Sequence, residues 1–160
     1  MEDMLPPDHS LRMERALLAL DGLSLGDAFG ECFFDSSVAL TALGQARALP
    51  AAPWNYTDDT EMALAIVEVL TVHGGIEQAQ LAQVFARRYR REPRRGYGGT
   101  AHQILRAIGD GTHFATAAGQ AFSGMGSMGN GAAMRVAPLG AYFAEDLAQD
   151  ALVAALSEWP

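Results

Sequence analysis

Residues 57–75 read TDDTEMALAIVEVLTVHGG, and the fold class turns on this stretch. Two threonine hydroxyls, two aspartates and a glutamate precede an apolar run, and HGG follows it. Acids in a first turn favour the helix dipole, and Thr57 or Asp58 can accept the free backbone N–H groups there. The glycines after His73 stop the element, so the pattern predicts a helix over 58–72. Capping needs only one of these acids, however. Adjacent carboxylates at Asp58 and Asp59, with Glu61 nearby, repel one another unless a cation sits among them. A hydroxyl with carboxylates suits a hard ion such as Mg²⁺ rather than zinc, for which the chain has no Cys/His cluster. Both readings, cap and metal, stand at this level.

Outward from there the apolar spacing stays helical. Leu17, Leu18, Leu25 and Phe29 predict a helix over residues 11–33, continuous or interrupted, and others follow at 76–90, 100–108 and 145–158. Ile and Val total only eleven and never alternate, so the class is all-α. Residues 1–10, with prolines and mixed charge, read as a flexible arm ahead of a single domain over 11–160. Glycine-rich loops fall at 94–100 (RRGYGGT) and 123–131 (SGMGSMGNG). Gly22, Gly26 and Gly30 share one helical face, which invites either close helix packing or a ligand. The 145–158 helix has nothing after it to cover its apolar face, which predicts self-association or a covering polypeptide.

The 160-residue chain carries a net charge of −8, which argues against a nucleic-acid surface or an anionic membrane as partner. All eleven basic residues are arginine, and six of them crowd into 87–95, where they would complement their own helix C-terminus and stay solvated. Cys32 is the only cysteine, no apolar run reaches membrane-spanning length, and the start MEDMLPPDHS lacks secretory-signal character, so a soluble, cytoplasmic protein is expected. Asp27 and Glu31 form a second acidic pair at i, i+4 and call for something positive beside them, an arginine or the cation of Asp58 and Asp59. GMGSMG at 124–129 matches a dinucleotide fingerprint literally, but no strand feeds it. Glycine loops opening helices at Thr100 and Gly131 would still offer N–H groups to a pyrophosphate. His73, His102 and His113 lack ligand spacing; Met125, Met128 and Met134 could line a pocket.

Taken together, GLSLGDAFGE (22–31), WNYTDDTEMA (54–63), RGYGGTAHQIL (95–105) and GSMGNGAAMRVAPLG (126–140) resemble the ADP-ribosylglycohydrolase family. The resemblance covers most of residues 15–145 in the family's order. It implies an all-α bundle with a pair of Mg²⁺ ions and hydrolysis of an ADP-ribosyl N- or O-glycosidic bond in a modified protein or small molecule. It implies Thr57, Asp58 and Asp59 as metal ligands, with Asp27 in the nearby acidic shell. The Arg95–Thr100 loop, with Gly96, Gly98, Gly99 and Thr100, and the segment Phe122–Asn130, with Ser127, Gly129 and Asn130, would cradle the pyrophosphate and distal ribose. Some members carry a glutamate where this chain has Phe34, so Glu31 or Asp35 would substitute, and Asp58, Asp59 and Glu31 are the expected catalytic set. The family's Asp-x-Asp-Thr segment has no counterpart before Pro160. The expectation is therefore an N-terminal half, inactive alone, whose site a further segment or second polypeptide completes. A non-catalytic ADP-ribose or nucleotide-binding module, or a helical interaction protein, is the alternative.

Overall fold

A computed structural model describes residues 5–34, 49–127 and 129–145. Among them are six α-helices and no strand: α1 (His9–Glu31), α2 (Asp58–His73), α3 (Gln78–Arg91), α4 (Gly99–Gly109), α5 (Phe114–Gly119) and α6 (Ala137–Tyr142), with 3-10 turns at Ala121–Gly124 and Ala133–Arg135. The all-α expectation is met. The helix expected at 145–158, with the apolar face on which self-association was based, falls on residues 146–160, outside those described.

Helix α2 is the axis of the fold. Ala63, Ala65, Ile66, Val69 and Leu70 are buried on more than one of its faces, as expected of a helix enclosed by neighbours. It packs against α1, α3 and α6. Helix α3 is one-sided by contrast, turning Leu81, Val84, Phe85 and Tyr89 inward and Arg87, Arg90 and Arg91 outward.

The arginines of α3 do more than stay solvated at a helix end. Arg88 pairs with buried Glu61 at 2.9 Å and with Glu68 at 3.4 Å, Arg87 also meets Glu68, and Arg90 reaches Asp110 at 3.0 Å and the Gly109 carbonyl. They tie α3 to α2 on one side and to the end of α4 on the other. The Arg88–Glu61 pair matters most, because removing one member of a buried pair strands the other charge.

Helix α1 is continuous and starts at His9, inside the segment expected as an arm. The described part of that segment, residues 5–10, packs on the body: His9 Nδ1 lies 2.8 Å from the Tyr142 hydroxyl, and Pro6 sits on Gly74. Gly74 ends α2 in the left-handed region at φ 64°, its N–H donating to the Leu70 carbonyl. A Cβ there would stand 2.6 Å from Pro6 Cδ, whereas one at Gly75 would meet nothing within 4 Å. Gly74→Ala should therefore cost at least about 1 kcal/mol from backbone strain alone, with the Pro6 clash added. Thermal unfolding should show a fall of several degrees for Gly74→Ala, and Gly75→Ala should stay near wild type.

Candidate active site

The site is organised by one carboxylate. Asp27, on the cavity side of α1, faces the first turn of α2. Its Oδ2 accepts from the backbone N–H of Thr57 at 2.8 Å, the N–H of Thr60 at 3.2 Å and the Thr60 hydroxyl at 2.6 Å, while Oδ1 accepts from the Thr57 hydroxyl at 2.7 Å. Among the described residues the groups that meet Asp27 belong to the amino end of α2 rather than to an arginine, and free N–H groups and the helix dipole there stabilise a negative charge. Thr57 is the N-cap, its hydroxyl oxygen also accepting from the Asp59 N–H at 3.3 Å.

Because Asp27 and Thr57 do the capping, the carboxylates of Asp58 and Asp59 are left over. The salt bridges among the described residues engage Asp8, Glu61, Glu68, Glu92, Asp110 and Glu145, not these two. Burial pushes Asp58 up to about 6, and the charges of Asp59 and Asp27 push the same way. Burial likewise raises Asp59, with Asp27 and Glu31 adding to it. Glu61 belongs elsewhere: it is buried, held by Arg88, and accepts from the Tyr56 hydroxyl at 3.1 Å.

Asp58 and Asp59 line a cavity of about 790 Å³, within the range of small-ligand sites. Its α1 wall is Gly22, Gly26 and Gly30 with Asp27, Glu31 and Phe34; Gly96, Gly98, Asn130 and Met134 also line it. A Cβ on Gly22, Gly26 or Gly30 would meet nothing within 4 Å, so among the described residues no helix packs on this face. Of the expected binding residues, Gly96, Gly98 and Asn130 thus reach the cavity. Gly99 and Thr100 open α4 just behind Gly98 without joining the lining. The Ser127 hydroxyl accepts from the Gly129 N–H at 3.0 Å, both outside the lining, and exposed Phe122 holds a left-handed φ of 51°. Asp35 and Met128 lie outside the described residues.

Sequence reasoning missed Arg135 and, for Arg95 in the expected pyrophosphate loop, missed its partner. Arg135 is buried beneath the site, its Nη1 3.3 Å from Met62 Sδ and its guanidinium 4.8 Å from the Phe85 ring centre. Burial lowers it to about 10 against the opposing pull of Asp58. Arg95 stacks on Tyr56 with 3.9 Å from its guanidinium carbon to the ring centre. The only sequence signal for Arg135 is its place in the apolar run MRVAPLG.

The donors fit a hard divalent cation in kind, two neighbouring carboxylates beside a threonine oxygen. They do not complete its coordination, since among the described residues no three acidic, histidine or cysteine side chains form a group able to hold a metal ion.

The opposite roles of neighbouring acids give opposite expectations. Asp27→Asn turns an acceptor toward donors and should cost about 2 kcal/mol. Asp58 is an acid whose folded pKa lies above its unfolded value, so its proton is held more tightly in the folded state, and stability is lost as pH rises from about 4 through about 6. Asp58→Asn should therefore stabilise the chain in chelator at pH 7.5, by about 1 kcal/mol after discounting for solvent screening, and make no difference near pH 4. Denaturant melts of both variants at the two pH values check this.

The sequence profile of the ADP-ribosylglycohydrolase family matches residues 8–158. ADP-ribosylhydrolase ARH3 of Homo sapiens is 36% identical over 144 residues, covering 80% of this chain and 39% of that protein. The Xenopus tropicalis ARH3 is 42% identical over 83 residues, 51% of this chain and 24% of its own length. ADP-ribosyl-[dinitrogen reductase] glycohydrolase of Rhodospirillum rubrum is 33% identical over 134 residues, 78% of this chain and 43% of that protein. The chain therefore spans less than half the length of these curated relatives. The profile match covers the helices, the Asp27 cap and the cavity alike, and the chain belongs to the ADP-ribosylglycohydrolase family.

Proposed function

We propose that this chain supplies one side of the active site of a Mg²⁺-dependent hydrolase that releases ADP-ribose from a modified protein or small molecule. The observation that carries the reading is the pair of carboxylates, Asp58 and Asp59, freed from capping by Asp27 and Thr57 and set in the wall of a ligand-sized cavity. The relatives' names, ADP-ribosylhydrolase and ADP-ribosyl-[dinitrogen reductase] glycohydrolase, support the substrate class.

In this reading Thr57, Asp58 and Asp59 hold the metal from one side, and the other coordination positions fall to water or to a further segment or second polypeptide. When bound, Mg²⁺ supplies Lewis-acid chemistry that orients ribose hydroxyls and an attacking water. The chain's own contributions are separate from that. Helix α4 has no side-chain cap at Gly98, so its first N–H groups can meet a pyrophosphate. The bare glycine face of α1 lets a flat sugar or base lie against backbone. Hydrolysis breaks the C1–N or C1–O bond through an oxocarbenium-like state, as water adds to the anomeric carbon and a proton passes to the leaving acceptor. In this reading Glu31, whose carboxylate belongs to a residue of the cavity wall, takes the proton from that water.

Calorimetry with ADP-ribose in Mg²⁺ and in chelator tests the proposal. Binding should need the ion and should vanish in Asp58→Asn and Asp59→Asn. ADP-ribose release from modified arginine and serine peptides should appear when the chain is extended by, or mixed with, a polypeptide carrying the Asp-x-Asp-Thr segment. Metal-independent binding would favour a non-catalytic module instead, and wild-type behaviour of both variants would remove the metal site.

A further inference from the structure

Arg95 stands next to the cavity but does not line it. Its guanidinium lies flat on Tyr56, 3.9 Å from the ring centre, and its Nη1 donates to the Tyr56 carbonyl at 3.2 Å. The Glu92 carboxylate is 3.8 Å from Nε on the other side. Tyr56 is itself fixed, because its hydroxyl donates to Glu61 at 3.1 Å and Glu61 is buried against Arg88. Tyr56 also immediately precedes Thr57, the residue that caps α2.

The residue after Arg95 lies beside the carboxylates. Gly96 has φ 86°, and a Cβ on it would sit 3.4 Å from Asp58 Oδ1 and 3.5 Å from Thr57 Cβ. On its other flank Tyr97 is buried and packs edge-on against Tyr89 at 5.1 Å. Gly96 is therefore held between two anchors, an arginine stacked on Tyr56 and a tyrosine sunk in the core.

We propose that Arg95 is a positioning residue: clamped on Tyr56, it sets the Gly96–Gly98 backbone beside Asp58, so that loop and carboxylates form one preformed wall. Its Nη1 is engaged by the Tyr56 carbonyl, and Arg95 is not among the residues that line the cavity. A planar guanidinium stacks in a way that a lysine ammonium does not reproduce. The inference rests on reading the cavity as the ADP-ribose site, and the clamp has a readout without ligand.

Amide hydrogen exchange on the ligand-free chain reports the loop directly. Arg95→Ala should speed exchange at residues 96–98 by about tenfold while core amides of α2 and α3 keep their rates, and Arg95→Lys should fall between. Tyr56→Leu should match Arg95→Ala, Tyr56→Phe should fall between it and wild type because the ring remains while its hydrogen bond to Glu61 is lost, and the double variant Arg95→Ala/Tyr56→Leu should be no worse than either single change. In Mg²⁺ the same variants should weaken ADP-ribose binding by about tenfold in the same order. Unchanged exchange in Arg95→Ala overturns the clamp. So does a loss of ADP-ribose affinity in Arg95→Ala that Tyr56→Leu fails to reproduce, since Arg95 would then touch the ligand itself. If the wild type binds no ADP-ribose, the reading of the cavity falls while the exchange series still decides the clamp.

Discussion

Everything at this site depends on a carboxylate from one helix closing the amino end of another. Asp27 carries four hydrogen bonds from Thr57 and Thr60, across more than thirty positions of sequence at the farther of the two. That joint fixes where α1 meets α2, and so the width of the cavity between them. It also places a formal charge where the helix dipole welcomes one. Had a residue of α2 taken the role of cap alone, the two helices would lack this polar lock at the mouth of the site.

The acids of α2 then divide by depth and neighbour. Glu61, one turn in, is neutralised by Arg88 and becomes part of the scaffold. Asp58 and Asp59, at the rim, enter none of the salt bridges among the described residues; burial raises both, with Asp59 and Asp27 adding to it at Asp58 and Asp27 and Glu31 at Asp59. The pairs Arg88 with Glu61 and Arg95 with Tyr56 flank the first turn that carries these half-buried carboxylates. Arg135 beneath them adds positive charge from the protein side without crossing into the cavity.

Much of this was legible in the sequence where the determinants are local. Helix α2 runs Asp58–His73 against an expectation of 58–72, since both of its end signals lie within a few residues of the ends themselves. Thr57, Asp58 and Asp59 could be singled out for the same reason. What pairs at a distance could not be read: Asp27 with Thr60, Arg88 with Glu61, and Arg95 with Tyr56 are 33, 27 and 39 positions apart. The arginine run looked like a solvated end because its partners lie on other helices. The short helices Phe114–Gly119 and Ala137–Tyr142 were missed as well. At six residues each they cannot nucleate on propensity and exist because the core holds them.

The glycine face of α1 has a thermodynamic consequence. Gly22, Gly26 and Gly30 have no neighbour that a methyl group would strike, so alanine at all three would fit the described fold and raise helix stability by about 2–3 kcal/mol in sum. The fold forgoes that gain. A stabilising search applied to this protein would choose those positions early and, in succeeding, would line the cavity with methyl groups where a ligand now meets bare backbone. The most robust version of α1 and the most accommodating one are different sequences.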